Sequence, residues 1–112
     1  MADYKQYVTQ IQENGSVMIS EEVLVSIIYQ AVAEVENVSL SGKPSINWGK
    51  GIKVTIDDNE NVAVECFINV AYNQSVVAAA NAVQEAVTNA LESMTGVTVT
   101  NVHVNVCGIA RQ

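Results

Sequence analysis

The stretch SVVAAANAVQEAVTNALESMTGVTVTNVHVNV, Ser75 to Val106, decides the fold. From Val76 onward, apolar residues fall at Ala79, Ala80, Val83, Val87, Ala90, Leu91 and Met94, the spacing that draws one stripe down a helix. Ser75 supplies a hydroxyl able to accept an unpaired first-turn N–H, and Gly96 suits the left-handed residue that closes a helix. In the strand that follows, Val97 and Val99 share one parity while Val102, Val104 and Val106 share the other. A one-residue slip at Thr100 or Asn101 reconciles them, so the pattern predicts a bulge or bend there.

A helix with a single apolar stripe needs a sheet to lie on. Val62 to Tyr72 supplies the longest strand, with Val62, Val64, Cys66, Ile68, Val70 and Tyr72 on one face and Ala63, Glu65, Phe67, Asn69 and Ala71 on the other. Ahead of it, Ile52, Val54 and Ile56 alternate with Lys53 and Thr55, and the polar turn Asp57 to Asn61 makes the two strands a hairpin. A second helix begins after Ser20, carries Glu21 and Glu22 where the helix dipole favours them, and runs its stripe through Val23, Leu24, Ile27, Ile28, Ala31 and Val35 to an end near Glu36 or Asn37. Val17 to Ile19 and Val38 to Leu40 read as short strands. Ser41 to Gly51, with three glycines, Pro44 and Trp48, reads as a loop. The expected architecture is α+β: a two-layer sandwich with two helices packed on one face of a mixed, mostly antiparallel sheet. Residues 1–14 read as a polar N-terminal segment and 15–110 as a single domain.

Composition sets the outer bounds. A chain of 112 residues, 49% hydrophobic and 15% charged, can bury a core unaided and is not disordered. The net charge of −7 is unevenly spread: Ser20 to Glu36 holds four glutamates and no base, and Ser75 to Thr95 holds Glu85 and Glu92 and again no base. Lys43, Lys50 and Lys53 cluster in the middle. Nucleic acid and bare anionic membrane would meet repulsion over most of this surface, whereas a short basic loop on an acidic body can dock an acidic surface, another copy included. Met1 to Gln12 lacks the basic start and apolar run of a signal peptide, and no segment offers about 20 uninterrupted apolar residues for a membrane span. Cys66 and Cys107 are then expected as reduced thiols in a cytoplasmic protein.

The candidates for chemistry weaken on inspection. His103 and Cys107 share a strand face but stand roughly 13 Å apart, too far for one ion. Asp57, Asp58 and Glu60 gather at a turn without the alternating ligands and central glycine of a calcium loop. Gly49-Lys50-Gly51 lacks the hydroxyl residue and following helix of a phosphate loop. No catalytic, cofactor-binding or metal residue is assigned on these grounds, and no cofactor is expected. Trp48 is either a binding anchor or a cover for the end of the core. With Phe67 it suggests a protein contact surface, to which the basic Lys50 and Lys53 and the solitary His103 are added as candidate interaction residues.

Several segments resemble the alkaline-shock, or cell-envelope stress-response, protein family of Gram-positive bacteria. They are Val17-Met18-Ile19-Ser20-Glu21-Glu22-Val23, Glu34-Val35-Glu36-Asn37-Val38, Gly49-Lys50-Gly51-Ile52-Lys53-Val54, Asn69-Val70-Ala71-Tyr72-Asn73, Met94-Thr95-Gly96-Val97 and Val102-His103-Val104-Asn105-Val106. Their order and spacing carry the likeness over about Gly15 to Ile109. The family more often has glycine at the positions of Asn37 and Asn73, which asparagine can replace because it also visits positive φ. The resemblance implies a small, non-enzymatic cytoplasmic scaffold or binding protein that forms homo-oligomers and is held near the inner face of the membrane by a membrane-anchored protein partner. It implies no binding to nucleic acid and no direct insertion into the membrane. The alternative reading is a small-ligand-binding regulatory module of lipid or envelope metabolism, with its ligand between helices and sheet.

Overall fold

Both helices start where a serine hydroxyl oxygen accepts a hydrogen bond from a backbone N–H. Ser20 Oγ accepts from the Val23 N–H at 3.4 Å, and Ser75 Oγ from the Ala78 N–H at 3.1 Å. The computed structural model describes residues 6–40 and 51–110. Within them lie β1 (Tyr7–Gln12), β2 (Gly15–Ser20), α1 (Glu21–Ala33), β3 (Val38–Leu40), β4 (Ile52–Ile56), β5 (Asn61–Ala71), α2 (Val76–Thr95) and β6 (Thr98–Ala110). Trp48, Lys43 and Lys50, and with them most of the expected loop, lie outside the described residues.

Strand β5 is the axis of the main sheet. One edge pairs in parallel with β6 from Asn61 to Ala71. The other edge is shared end to end by two antiparallel strands, β4 opposite Val62 to Cys66 and β3 opposite Ile68 to Val70. On the same edge the Gly51 carbonyl accepts from the Phe67 N–H at 2.9 Å, just ahead of β4. The sheet is therefore mixed, and α1 and α2 cover one face of it, as the α+β two-layer reading expects.

Burial follows the alternation. Val62, Val64, Cys66, Ile68 and Val70 are shut from solvent, and Leu24, Ile28, Val32, Val83, Val87 and Leu91 meet them from the helices. The expected slip in the last strand falls at Thr100: Val62 stands opposite Val99 but Ala63 opposite Asn101. Thr100 Oγ1 bonds back to the Val62 carbonyl at 3.2 Å, which ties the extra residue down. A second slip at Cys107 was not foreshadowed by parity. Its neighbour Gly108 sits where a Cβ would stand 3.1 Å from Asn69 Oδ1, so the glycine lets that side chain approach the strand.

Left-handed residues close the elements. Gly96 ends α2 with φ 74°, and Asn37 and Asn73 adopt φ 67° and 71° at the two other exits. Helix α1 stops at Ala33, three residues short of the expected Glu36, and the chain turns before Asn37 admits β3.

Three side chains depart from the expected apolar faces. Met94 has the right azimuth for the stripe but lies one turn beyond Leu91, past the last buried layer, and is 69% exposed. Val23 is likewise 45% exposed at the opposite helix start, while Val32 joins the core in its place. Tyr72 follows the end of β5 and is exposed, because the chain is already turning towards Asn73.

The N-terminal stretch also holds a strand that its polar composition hid. β1 pairs with β2 from Tyr7 opposite Ser20 to Gln12 opposite Gly15 as a separate two-stranded sheet. Val8 anchors it in the core, and the Thr9 N–H donates to Glu60 Oε1 at 2.9 Å.

These packing differences give opposite expectations for two truncations on one helix. Leu91→Ala should cost about 2–5 kcal/mol through lost contacts and a cavity, whereas Met94→Ala should stay within roughly 0.5 kcal/mol. Urea unfolding followed by circular dichroism measures both.

Candidate functional site

The helix-free face of the sheet assembles in rows across β4, β5 and β6. Lys53 stands opposite Glu65, and Glu65 opposite His103, so base, acid and imidazole occupy one row. In the next row Phe67 faces Asn105, whose Nδ2 donates diagonally to Glu65 Oε2 at 3.0 Å. Lys53 and His103 are exposed, while Glu65, Phe67 and Asn105 are half-buried. The structure thus brings Lys53, Phe67 and His103, three of the five expected interaction residues, onto one surface. Trp48 and Lys50 lie outside the described residues.

Cys107 does not join His103 on that surface in the expected register. The bulge leaves it unmatched between Val106, opposite Ile68, and Gly108, opposite Asn69. It is exposed, with Sγ 3.8 Å from the Asn105 carbonyl oxygen. Cys66 is its opposite: wholly enclosed on the helix side of β5, its thiol is pushed from 9.0 up to about 12, first by burial and then by the charge of Glu65.

The acidic turn has a structural occupation. Asp57 Oδ1 accepts from the N–H groups of Asn59 and Asn61, both at 2.9 Å, and Glu60 holds β1. Among the described residues no three of His, Cys, Asp and Glu are grouped to hold a metal ion.

Two further surfaces take their place only from the topology. Strand β6 is hydrogen-bonded to β5 on one edge and, among the described residues, to no strand on the other. From Thr98 to Ala110 it contains no Asp, Glu, Lys or Arg. Parity revealed its core face but not that its place in the order would be at an edge.

The second surface is a groove of about 760 Å³ between α1 and α2, facing away from the sheet. Val23, Ile27, Ala31 and Val35 form one wall, Ala86, Ala90 and Met94 the other, and Glu22 and Glu34 stand at the rim. Between helices and sheet, where the alternative reading puts a ligand, Leu24, Ile28, Val64, Ile68, Val83 and Val87 are buried in one hydrophobic core.

The fold and these surfaces define a small two-layer α+β protein with a helix-free sheet face and, among the described residues, a β6 edge that pairs with no strand, Gln84 Nε2 of α2 donating to the Val102 carbonyl at 3.1 Å. Over residues 9–111 the chain matches, and belongs to, the ASP23 family, which has a cell envelope-related function. It is 28% identical over 105 residues to the uncharacterized protein YqhY of Bacillus subtilis (strain 168), covering 85% of this chain and 77% of that one. No solved structure matches the chain. No helix among the described residues is long and apolar enough to cross a membrane.

The two thiols should separate cleanly. Cys107 should react with a disulfide reagent in the native protein and Cys66 only after unfolding. Because the folded state holds the Cys66 proton to higher pH than the unfolded chain does, stability falls as pH rises above about 9. From pH 8 to pH 10 the wild type should lose about 1.4 kcal/mol more than Cys66→Ala, read from urea midpoints at each pH.

Proposed function

We propose that this protein is a non-enzymatic scaffold of the cell-envelope stress response, joining copies of itself through β6 and reaching the membrane through a protein partner. The uncharged outer edge of β6 carries this reading. A body with net charge −7 repels its own copies, so self-contact favours the strip where charge is lowest. Thirteen residues of strand without lysine or proline form such a strip, with backbone groups able to extend the sheet into a second chain on either side of the Val102 carbonyl, which accepts from Gln84 Nε2 at 3.1 Å. Bulges at Thr100 and Cys107 twist this edge and limit how many bonds a partner strand can make, which favours one defined register over open-ended stacking.

The family's cell envelope-related function supports the place of action, and the row Lys53, Glu65 and His103 with Phe67 offers a mixed-charge surface for the partner. Binding carried by surfaces of this kind needs no reacting group.

Light scattering at micromolar concentration should give a mass above the 12.0 kDa of one chain. Asn101→Lys with His103→Lys, both at exposed positions of β6, should return the protein to one chain without changing its circular dichroism. A wild type that remains a strict monomer would overturn the proposal.

A further inference from the structure

The groove between α1 and α2 has the shape and charge of a seat for a third helix. Val23, Ile27, Ala31 and Val35 recur every four residues along one wall, and Ala86, Ala90 and Met94 do the same along the other. Such rows form parallel ridges with a channel between them, the surface into which the side-chain ridge of another helix fits. The small Ala86 and Ala90 let an incoming backbone come close. Val23 and Met94 leave apolar surface uncovered at one end of the channel.

Charge selects the occupant. Glu21, Glu22, Glu34, Glu36, Glu85 and Glu92 lie on or beside the two helices, and neither helix carries a Lys or Arg. Glu22 and Glu34 line the groove itself, twelve residues apart, which on a helix is roughly 18 Å. A second copy of this acidic layer would bring like charges face to face. A helix with an apolar stripe and cationic residues three turns apart would instead pair a base with each carboxylate at the rim, where both are exposed.

We infer that the α1–α2 groove is a docking site for a basic amphipathic helix of a partner protein, about three to four turns long. The inference stands apart from self-association: the groove lies on the helix layer, away from the exposed sheet face and from the β6 edge, and the two surfaces can be occupied together.

The test uses a fluorescein-labelled, helix-stapled peptide of about sixteen residues with leucines every three or four positions and lysines flanking the stripe, and its counterpart with glutamates in place of the lysines. Fluorescence anisotropy with the full chain should show saturable binding of the lysine peptide and none of the glutamate peptide. Each exposed ion pair contributes modestly, so Glu22→Gln with Glu34→Gln should weaken binding roughly three- to tenfold. Glu22→Lys with Glu34→Lys should reverse the preference between the two peptides while circular dichroism stays unchanged.

Equal binding of both peptides, binding of neither, or a preference untouched by the lysine variant would overturn the inference. Dissociation of a wild-type oligomer by the lysine variant would make a second copy the occupant and overturn it too. A rise in melting temperature with dodecyltrimethylammonium below its micellar concentration, without peptide binding, would assign the groove to a small cationic amphiphile and would equally rule the helix out.

Discussion

Val62, Val64, Cys66, Ile68 and Val70 lose their solvent because α1 and α2 lie over them, and this burial fixes the register of everything else. A shift of β5 by one residue would turn Glu65 and Asn69 into the core and the valines out of it, so no alternative pairing with β3, β4 or β6 is tolerable. The outer face inherits its order from the same constraint. Lys53, Glu65 and His103 form a row because Ile52, Cys66 and Val104 form the row beside it.

The parts of this fold that follow from periodicity were legible in advance. Ser75, Gly96 and the four-residue apolar spacing specify α2 almost to its ends, since caps and stripe both act within the helix itself. The slip at Thr100 was legible because valines on both sides of it must face one core. What stayed hidden depends on distant partners. β1 reads as polar because a two-stranded sheet at the margin of the domain buries Val8 and leaves Ile11 87% exposed. The Cys107 bulge answers to Asn69 across the sheet, which no local pattern in β6 records.

The candidate surfaces divide along the same line. Phe67 and His103 could be placed on one face from strand parity, and Lys53 joins them through the β4–β5 hairpin. That β6 is an edge, and that α1 and α2 leave a groove between them, are facts of topology that appear only once the strands and helices are ordered. Charge segregation was visible from the start, but its meaning was not. The acidic helices and the neutral last strand become complementary features only when the first are seen to border a channel and the second to border solvent.

Parallel pairing of β5 with β6 has a bearing on the order of events at the ribosome. Two parallel neighbours cannot be joined by a tight turn, so the twenty residues of α2 must be threaded over the sheet before the second can be laid beside the first. Until Thr98 to Ala110 has cleared the exit tunnel, the central strand is left with one side bare. The nascent chain therefore remains open to wrong neighbours until β6 has emerged, and a chain cut short before Thr98 would leave that edge of β5 bare.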